Sequence, residues 1–271
     1  MNITNKTIVL TGAAGGIGSE IARQLDQLSA KLILVDLNEA ALTALNQKLK
    51  GNHKSLALDI ASESGRLSLQ QYCNDAPQGI DVLINSAGLM DFAFLEHQDS
   101  ERLQMLMQVN VTMPILVTQA LLPILQKQSS RTAIVNIGST FGSIGYPGFG
   151  AYCTSKFAFR GFTETLRREL SDTTVDVLYI APRAAATKLN SDSITQMNQA
   201  LHNAMDAPEK VATEVINTLK KQRSVSYIGW PEKLFVRING LFPWLVDNAL
   251  KKQLPTIRHF AQLNIKSNSS C

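Results

Sequence analysis

Tyr152 and Lys156 stand four residues apart in Tyr152-Cys153-Thr154-Ser155-Lys156, a spacing that puts both side chains on one face of a helix. A tyrosine that titrates at about 10 is a poor base at neutral pH, and a neighbouring cation favours the tyrosinate and lowers that value. Such a pair is suited to passing a proton to and from an alcohol oxygen. Ser139, in Asn136-Ile137-Gly138-Ser139, follows a β-branched run. A hydroxyl at the C-terminal end of a strand can donate to a carbonyl oxygen on which negative charge develops. Thr140 and Ser143 are its local rivals. Asn110 falls in the helical segment 105–126, four residues before Pro114. Proline has no N–H to give the Asn110 carbonyl, so the Asn110 carbonyl and amide are expected to hold a water that extends a proton path from Lys156 to solvent. An ordinary proline kink would produce the same sequence.

These groups need a partner that accepts or supplies electrons, and a second constellation points to one. A β-branched run ends in Thr11-Gly12-Ala13-Ala14-Gly15-Gly16-Ile17-Gly18, and a helical pattern follows directly. Gly12, Gly16 and Gly18 allow a tight turn and close backbone approach, leaving the helix N-terminus to hold a pyrophosphate. Asp36 ends the next β-branched run, eighteen residues beyond Gly18. Its carboxylate can accept hydrogen bonds from both adenosine ribose hydroxyls and would repel a 2′-phosphate. No cation stands at Ala13, Ala14 or Leu37 to offset that repulsion, so NAD is expected in preference to NADP. Asp59, after a third run, either meets the adenine amino group or caps the next helix. Asn85-Ser86-Ala87-Gly88 closes a fourth run with small residues, where the chain must pass close to the nucleotide or simply turn.

Seven short apolar runs, near 7–11, 32–36, 55–59, 82–85, 133–137, 175–180 and 226–228, alternate with helix-length segments at 16–28, 39–50, 62–73, 100–126, 151–170 and 209–222. This alternation predicts an α/β fold, a doubly wound parallel sheet covered by helices on both faces. No linker or repeat interrupts it, so residues 1–229 are expected to form one catalytic domain and 230–271 a helical extension. The Ser/Asn-rich last five residues are expected to be mobile. With 45% hydrophobic and 18% charged residues the chain can bury a core. Its net charge of +4 hides a slightly acidic body (16 basic and 18 acidic side chains in 1–206) and a basic remainder (10 against 4). That surplus is too diffuse to imply nucleic-acid binding. Cys73, Cys153 and Cys271 show no metal-ligand spacing, so free thiols and no metal are expected, and with no leader-like or membrane-length apolar run the expected compartment is the cytoplasm.

Taken together, these motifs resemble the short-chain dehydrogenase/reductase family over about residues 5–229. The resemblance rests on Thr11–Gly18, Asp36, the 85–88 turn, Asn110, Ser139, Tyr152 and Lys156, in family order. It implies a Rossmann-type sheet of order 3-2-1-4-5-6-7 and a catalytic tetrad of Asn110, Ser139, Tyr152 and Lys156. A nicotinamide dinucleotide would be held by Gly12, Gly16, Ile17, Gly18, Asp36, Asp59, Ile60, Asn85, Ala87, Gly88, Tyr152, Lys156, Pro182 and Thr187. Two positions depart from the family pattern. Ser86 replaces a second asparagine, and Arg183 replaces the glycine that follows Pro182 in the turn leading to Thr187. Arg183 lacks glycine's freedom at positive φ, so it should either alter that turn or reach the substrate entrance. Homodimers or homotetramers through helices 100–126 and 151–170 are a further implication of the resemblance. The activity expected is NAD-dependent oxidation of a lipophilic secondary alcohol, acyl or steroid-like, or the reverse reaction. An NADPH-dependent 3-oxoacyl-thioester reductase and a non-catalytic NAD-binding sensor or scaffold are the alternatives.

Residues 188–207 should cover the substrate, with Leu201 and Met205 at helical spacing. From Trp230 onward an apolar stripe runs with near-helical period through Leu234, Ile238, Leu241, Leu245 and Ala249. Gly240 and Pro243 interrupt it. Pro243 should start a second helix and Pro255 should stop it. Lys233, Arg237, Lys251, Lys252 and Arg258 accompany the stripe. The extension is expected to pack on its own domain or a second subunit, to touch an anionic membrane peripherally, or to line the substrate entrance.

Overall fold

The computed structural model describes residues 1–268. Seven parallel strands form one sheet: β1 (Thr7–Thr11), β2 (Lys31–Asp36), β3 (Lys54–Ala57), β4 (Val82–Asn85), β5 (Thr132–Ile137), β6 (Val175–Ala181) and β7 (Val225–Tyr227), in the order β3-β2-β1-β4-β5-β6-β7. The expected Rossmann-type architecture is therefore present. The central strands are apolar on both faces because helices cover both, and every residue of β1, β4 and β5 is buried.

Helices α1 (Gly16–Gln27) and α8 (Pro208–Lys221) cover one face, burying Ile21, Leu25, Val211 and Val215 against Ile8, Leu10 and Leu34. The other face is covered by α3 (Glu63–Asn74), α5 (Met113–Gln126) and α6 (Gly150–Glu169), around Val9, Leu83 and Ile134. Helix α2 (Glu39–Asn46) follows β2 and is capped by the Asn38 side chain, which accepts the Ala41 N–H. Helix α4 (Ser100–Met107) is capped by Asp99 and leads into α5 through a π-helical turn at Gln108–Thr112. The whole segment 100–126 is long and apolar enough by length and composition to cross a membrane. Within this fold it is a core helix: Val117, Leu121 and Leu125 are fully packed against the sheet.

Beyond β6 the fold departs from the expected pattern in two places. Residues Asp192–Ala200 form a helix, α7, which Ser191 caps by accepting the Ile194 N–H, and it ends before the Leu201–Met205 pair that suggested a helical turn. The extension folds as α9 (Glu232–Leu241) and α10 (Pro243–Asn268). Pro243 opens α10 as expected, but Pro255 does not stop it. Burial outweighs the lost backbone bond: Ile257 and Ala261, just past the proline, pack on Phe92, Phe149, Ile194 and Met197. Asn264 fixes the same end by donating to the Phe92 carbonyl and accepting from Ser191. The extension thus packs on its own domain. Of the five terminal residues expected to be mobile, Ser267 and Asn268 continue α10, and the rest lie outside the described residues.

A buried Asp26–His53 pair ties α1 to the loop before β3. The Asp26 carboxylate accepts the N–H groups of Lys50 and Gly51 and lies 2.9 Å from Nε2 of His53, whose other ring nitrogen receives the Leu32 N–H. Burial alone would raise the Asp26 carboxyl, but the bonds from Lys50, His53 and Gly51 outweigh it and hold the value below normal. Its stabilising contribution is therefore full above the unfolded carboxyl value and lost as pH falls through the still lower folded one. Asp26→Asn should cost about 1–3 kcal/mol at neutral pH in urea unfolding, and the gap to wild type should shrink in acid.

Candidate active site

All seven strands point the same way, so the loops after β1, β2, β4, β5 and β6 gather at one edge of the sheet. Gly12 has φ of +64°, and a Cβ there would lie 2.6 Å from the Ala87 Cα; a Cβ on Gly18 would strike the Gly12 carbonyl. A Cβ on Gly16 would fall 2.8 Å from the Thr187 side chain. Thr11 knits the two loops together, its hydroxyl accepting the N–H groups of Ser86 and Ala87. Helix α1 begins at Gly15 with no side-chain cap, whereas α2, α3, α4 and α7 all have one. A backbone cradle with no side chains over an uncapped helix start fits a dinucleotide pyrophosphate.

The Asp36 carboxylate accepts the N–H groups of Ala14 and Asn38, which places it beside the glycine loop. Asp59 is exposed and accepts the Ala61 N–H; the cap of α3 is Ser62, so the helix-cap alternative for Asp59 is not what forms. The side chains of two expected cofactor residues point into the fold. Asn85 is buried and donates to Thr118 and Asn136 in the polar seam between β4 and β5. The Ile60 side chain joins the core with Val9 and Val35. Each can meet a nucleotide only through its main chain.

The four residues expected to be catalytic converge. Tyr152, Ser139 and Lys156 line a cavity of about 400 Å³ together with Ile17, Gly88, Pro182 and Thr187. Asn110 lies directly behind it. The Asn110 amide is fully occupied, accepting the Leu89 N–H (2.7 Å) and donating to the Leu89 carbonyl (2.8 Å) and to the Ser155 hydroxyl (3.0 Å). It clamps the loop after β4. The Pro114 kink takes the form of a π turn, in which the Met113 N–H bonds the Gln108 carbonyl.

The expected lowering of Tyr152 rests on Lys156 together with a positive nicotinamide ring; among the protein's own groups burial dominates. Burial pushes the Tyr152 phenol up to about 12, with the Ser139 hydroxyl opposing the rise, and burial brings the Lys156 ammonium down to about 8. Lys156 Nζ donates to the Ile137 carbonyl (3.3 Å) and stands 5.7 Å from the Tyr152 ring centre. At that distance the desolvation of both groups outweighs their mutual effect.

Three further features shape the site. Tyr179 on β6 is buried, its hydroxyl accepting the Ser139 N–H and donating to the Ser139 carbonyl, so it fixes the backbone that carries the serine. In Val-Asp-Val-Leu-Tyr-Ile it reads as one more apolar strand residue. Arg183 does not take a positive φ, and it lines the cavity, the second of the two outcomes expected for it. Its guanidinium grips Asp206 with two bonds of 2.9 Å and reaches Glu232 (3.0 Å) and the Trp230 carbonyl (3.1 Å). Finally, α9 and α10 supply a wall of the cavity, through Phe235, Ile238, Leu245, Val246, Ala249 and Leu250. Among the described residues no three His, Cys, Asp or Glu side chains cluster as metal ligands, and Cys73 and Cys153 are buried free thiols raised by burial to about 12 and about 11.

The profile of the short chain dehydrogenase family matches residues 6–198. The chain belongs to that family of oxidoreductases. An uncharacterized oxidoreductase of Staphylococcus saprophyticus is 30% identical over 79% of this chain and 89% of its own. Retinol dehydrogenase 7 of Mus musculus is 28% identical over 84% and 70%. A short chain dehydrogenase/reductase from Burkholderia phymatum, solved with NAD, superposes with a TM-score of 0.82 over 90% of this chain and 96% of its own at 22% identity. One from Burkholderia cenocepacia, solved with NADP, gives 0.79 over 92% and 99% at 21% identity. The two structures share the fold and between them hold both nicotinamide dinucleotides, so a nicotinamide cofactor is supported without a choice between the two.

The Arg183 grip predicts a measurable cost for the family's glycine at this position. Arg183→Gly leaves Asp206 with Lys210 alone and Glu232 with no guanidinium. It should lower stability by about 3 kcal/mol in urea unfolding and expose the chain near Trp230 to limited proteolysis.

Proposed function

We propose that this chain is an NAD(H)-dependent oxidoreductase that interconverts a lipophilic secondary alcohol and its ketone. One observation carries the reading: Ser139, Tyr152 and Lys156 open into a cavity whose other walls are largely apolar, among them Phe141, Phe149, Met197, Ile238 and Leu250. Its volume suits a ring system or acyl chain, and burial of such a group supplies binding energy at about 25 cal/mol per Å².

The roles follow from the geometry. Tyr152 takes the alcohol proton during oxidation and returns it during reduction. The Ser139 hydroxyl donates to the same oxygen, held in place by the two Tyr179 bonds to its backbone. Lys156, anchored on Ile137, lies between Tyr152 and the loop after β4, where it would hold the nicotinamide ribose. Asn110 positions that loop and, through Ser155, the turn of α6 that bears both Tyr152 and Lys156. A bound nicotinamide supplies the hydride acceptor or donor and, when oxidised, a positive charge that favours tyrosinate. Asp36, with Ala13, Ala14 and exposed Leu37 around it, supports NAD over NADP, and it weighs against an NADPH-dependent thioester reductase.

Tyr152→Phe should lower kcat about 10²- to 10⁴-fold while calorimetry finds NAD affinity little changed. Wild-type-like turnover in that variant would remove Tyr152 from the reaction. Asp36→Ala combined with Leu37→Arg should shift the NAD/NADP ratio of kcat/KM toward NADP by about a hundredfold. An unmoved ratio would take the nucleotide choice away from Asp36.

A further inference from the structure

The extension leaves an apolar surface that no described residue covers. Seven of the fifteen large hydrophobic side chains exposed among the described residues fall within 230–245, including Trp230, Leu241, Phe242 and Trp244. Helix α9 buries no residue at all, although half of its side chains are apolar. Cations border the surface: Lys233 and Arg237 on α9, and Lys251 and Lys252 on α10, all exposed. Of the two acidic residues in this stretch, Glu232 is taken by Arg183, which leaves Asp247.

Phe235, Leu245 and Leu189 belong both to this exposed surface and to the lining of the cavity that holds Tyr152. The cavity mouth therefore lies within the apolar surface and not beside it. Phe242 and Trp244 at the bend between the two helices and Trp230 just before α9, with lysines and arginine alongside, match the chemistry of a bilayer interface: rings at the level of the headgroups and cations against anionic lipid. A second copy of the chain fits less well. A two-fold contact would bring the same cations face to face.

We propose that α9 and the first turns of α10 dock on an anionic lipid bilayer, with the cavity mouth turned to the lipid. A lipophilic alcohol or ketone then passes between bilayer and active site without crossing water. Passage of substrate rests on the function proposed above; docking does not.

The test uses the full chain without substrate and vesicles of phosphatidylcholine with or without phosphatidylglycerol. Both tryptophans of the chain lie in the docking surface, so intrinsic emission reports insertion directly. Co-sedimentation with the phosphatidylglycerol vesicles at low salt is expected, weakening with added salt, with blue-shifted emission that brominated lipid quenches. Leu241→Ser with Phe242→Ser, neither of which lines the cavity, should lower vesicle affinity at least about tenfold and leave NAD binding and turnover of a water-soluble alcohol unchanged. Lys233→Gln with Arg237→Gln should reduce the preference for anionic vesicles. Absence of sedimentation at low salt, or unshifted emission, overturns the proposal. So does a wild-type dimer in analytical ultracentrifugation that the serine variant dissociates, because the surface would then belong to a second copy. Vesicle binding without turnover of any alcohol would leave docking intact and refute the proposed reaction.

Discussion

The backbone contact between Gly12 and Ala87 is the constraint on which the rest of the site depends. β1 and β4 are neighbours in the sheet, but the chain leaves them for opposite faces, to α1 from one and toward α4 and α5 from the other. Their loops part above the sheet, and the crevice that opens there is the ligand site of this architecture. The loops can approach only because Gly12 carries no side chain and adopts a positive φ. From that contact the path to the chemistry is short. Ala87 leads to Gly88, where a Cβ would lie 3.3 Å from the Asn110 Oδ1 and 3.6 Å from Lys156 Nζ. The glycine loop and the Asn110 and Lys156 side chains thus meet across the main chain of Ala87 and Gly88.

Beneath the crevice a seam of buried polar side chains holds the strand ends in register. Asn85 donates to Asn136, Asn136 to Thr163, and Asn85 also to Thr118, joining β4 and β5 to α5 and α6. Each such bond contributes only about 0.5–1.5 kcal/mol net, but a missing partner costs the full desolvation of a buried amide. The seam itself carries one such cost, since the Asn85 Oδ1 is buried without a partner. Asn110 and Tyr179 repeat the device one layer higher, each spending its polar atoms on the backbone of a residue or loop that faces the cavity.

Much of this was legible in the sequence because it follows from short-range patterns. The strand runs, the glycine spacing, the Tyr152–Lys156 interval and Asp36 at a strand end all express local geometry, and the fold places them where those patterns require. What could not be read depends on which partner a side chain finds across the fold. Asn85 and Ile60 sit beside the nucleotide in sequence yet turn inward, because the strand pleat and the core claim them. Pro255 reads as a helix stop, but Ile257 and Ala261 bury against α7 and two phenylalanines and carry α10 through it. Lys156 reads as a cation that acidifies Tyr152, whereas burial shifts both groups toward neutrality. Each case sets a local rule against a tertiary one, and burial decides it.

Arg183 ties the C-terminal end of the chain to the site. The family's glycine would leave the turn after β6 without a side chain; an arginine there grips Asp206 on one side and Glu232 on the other. The loop that carries Asp206 and the first turn of α9 thereby share one guanidinium. A second polar tie, from Asn239 to the Ser143 carbonyl, fixes α9 over the turn that follows Ser139. α9 is held in this way by polar groups, and its apolar side chains are not used for packing. They remain available to the cavity on one side and to the exterior on the other, which is the opposite of how α10 uses Ile257 and Ala261. An amphipathic helix that anchored itself through its apolar face would close the mouth of the cavity. One anchored through Glu232 and Asn239 can form a wall of it.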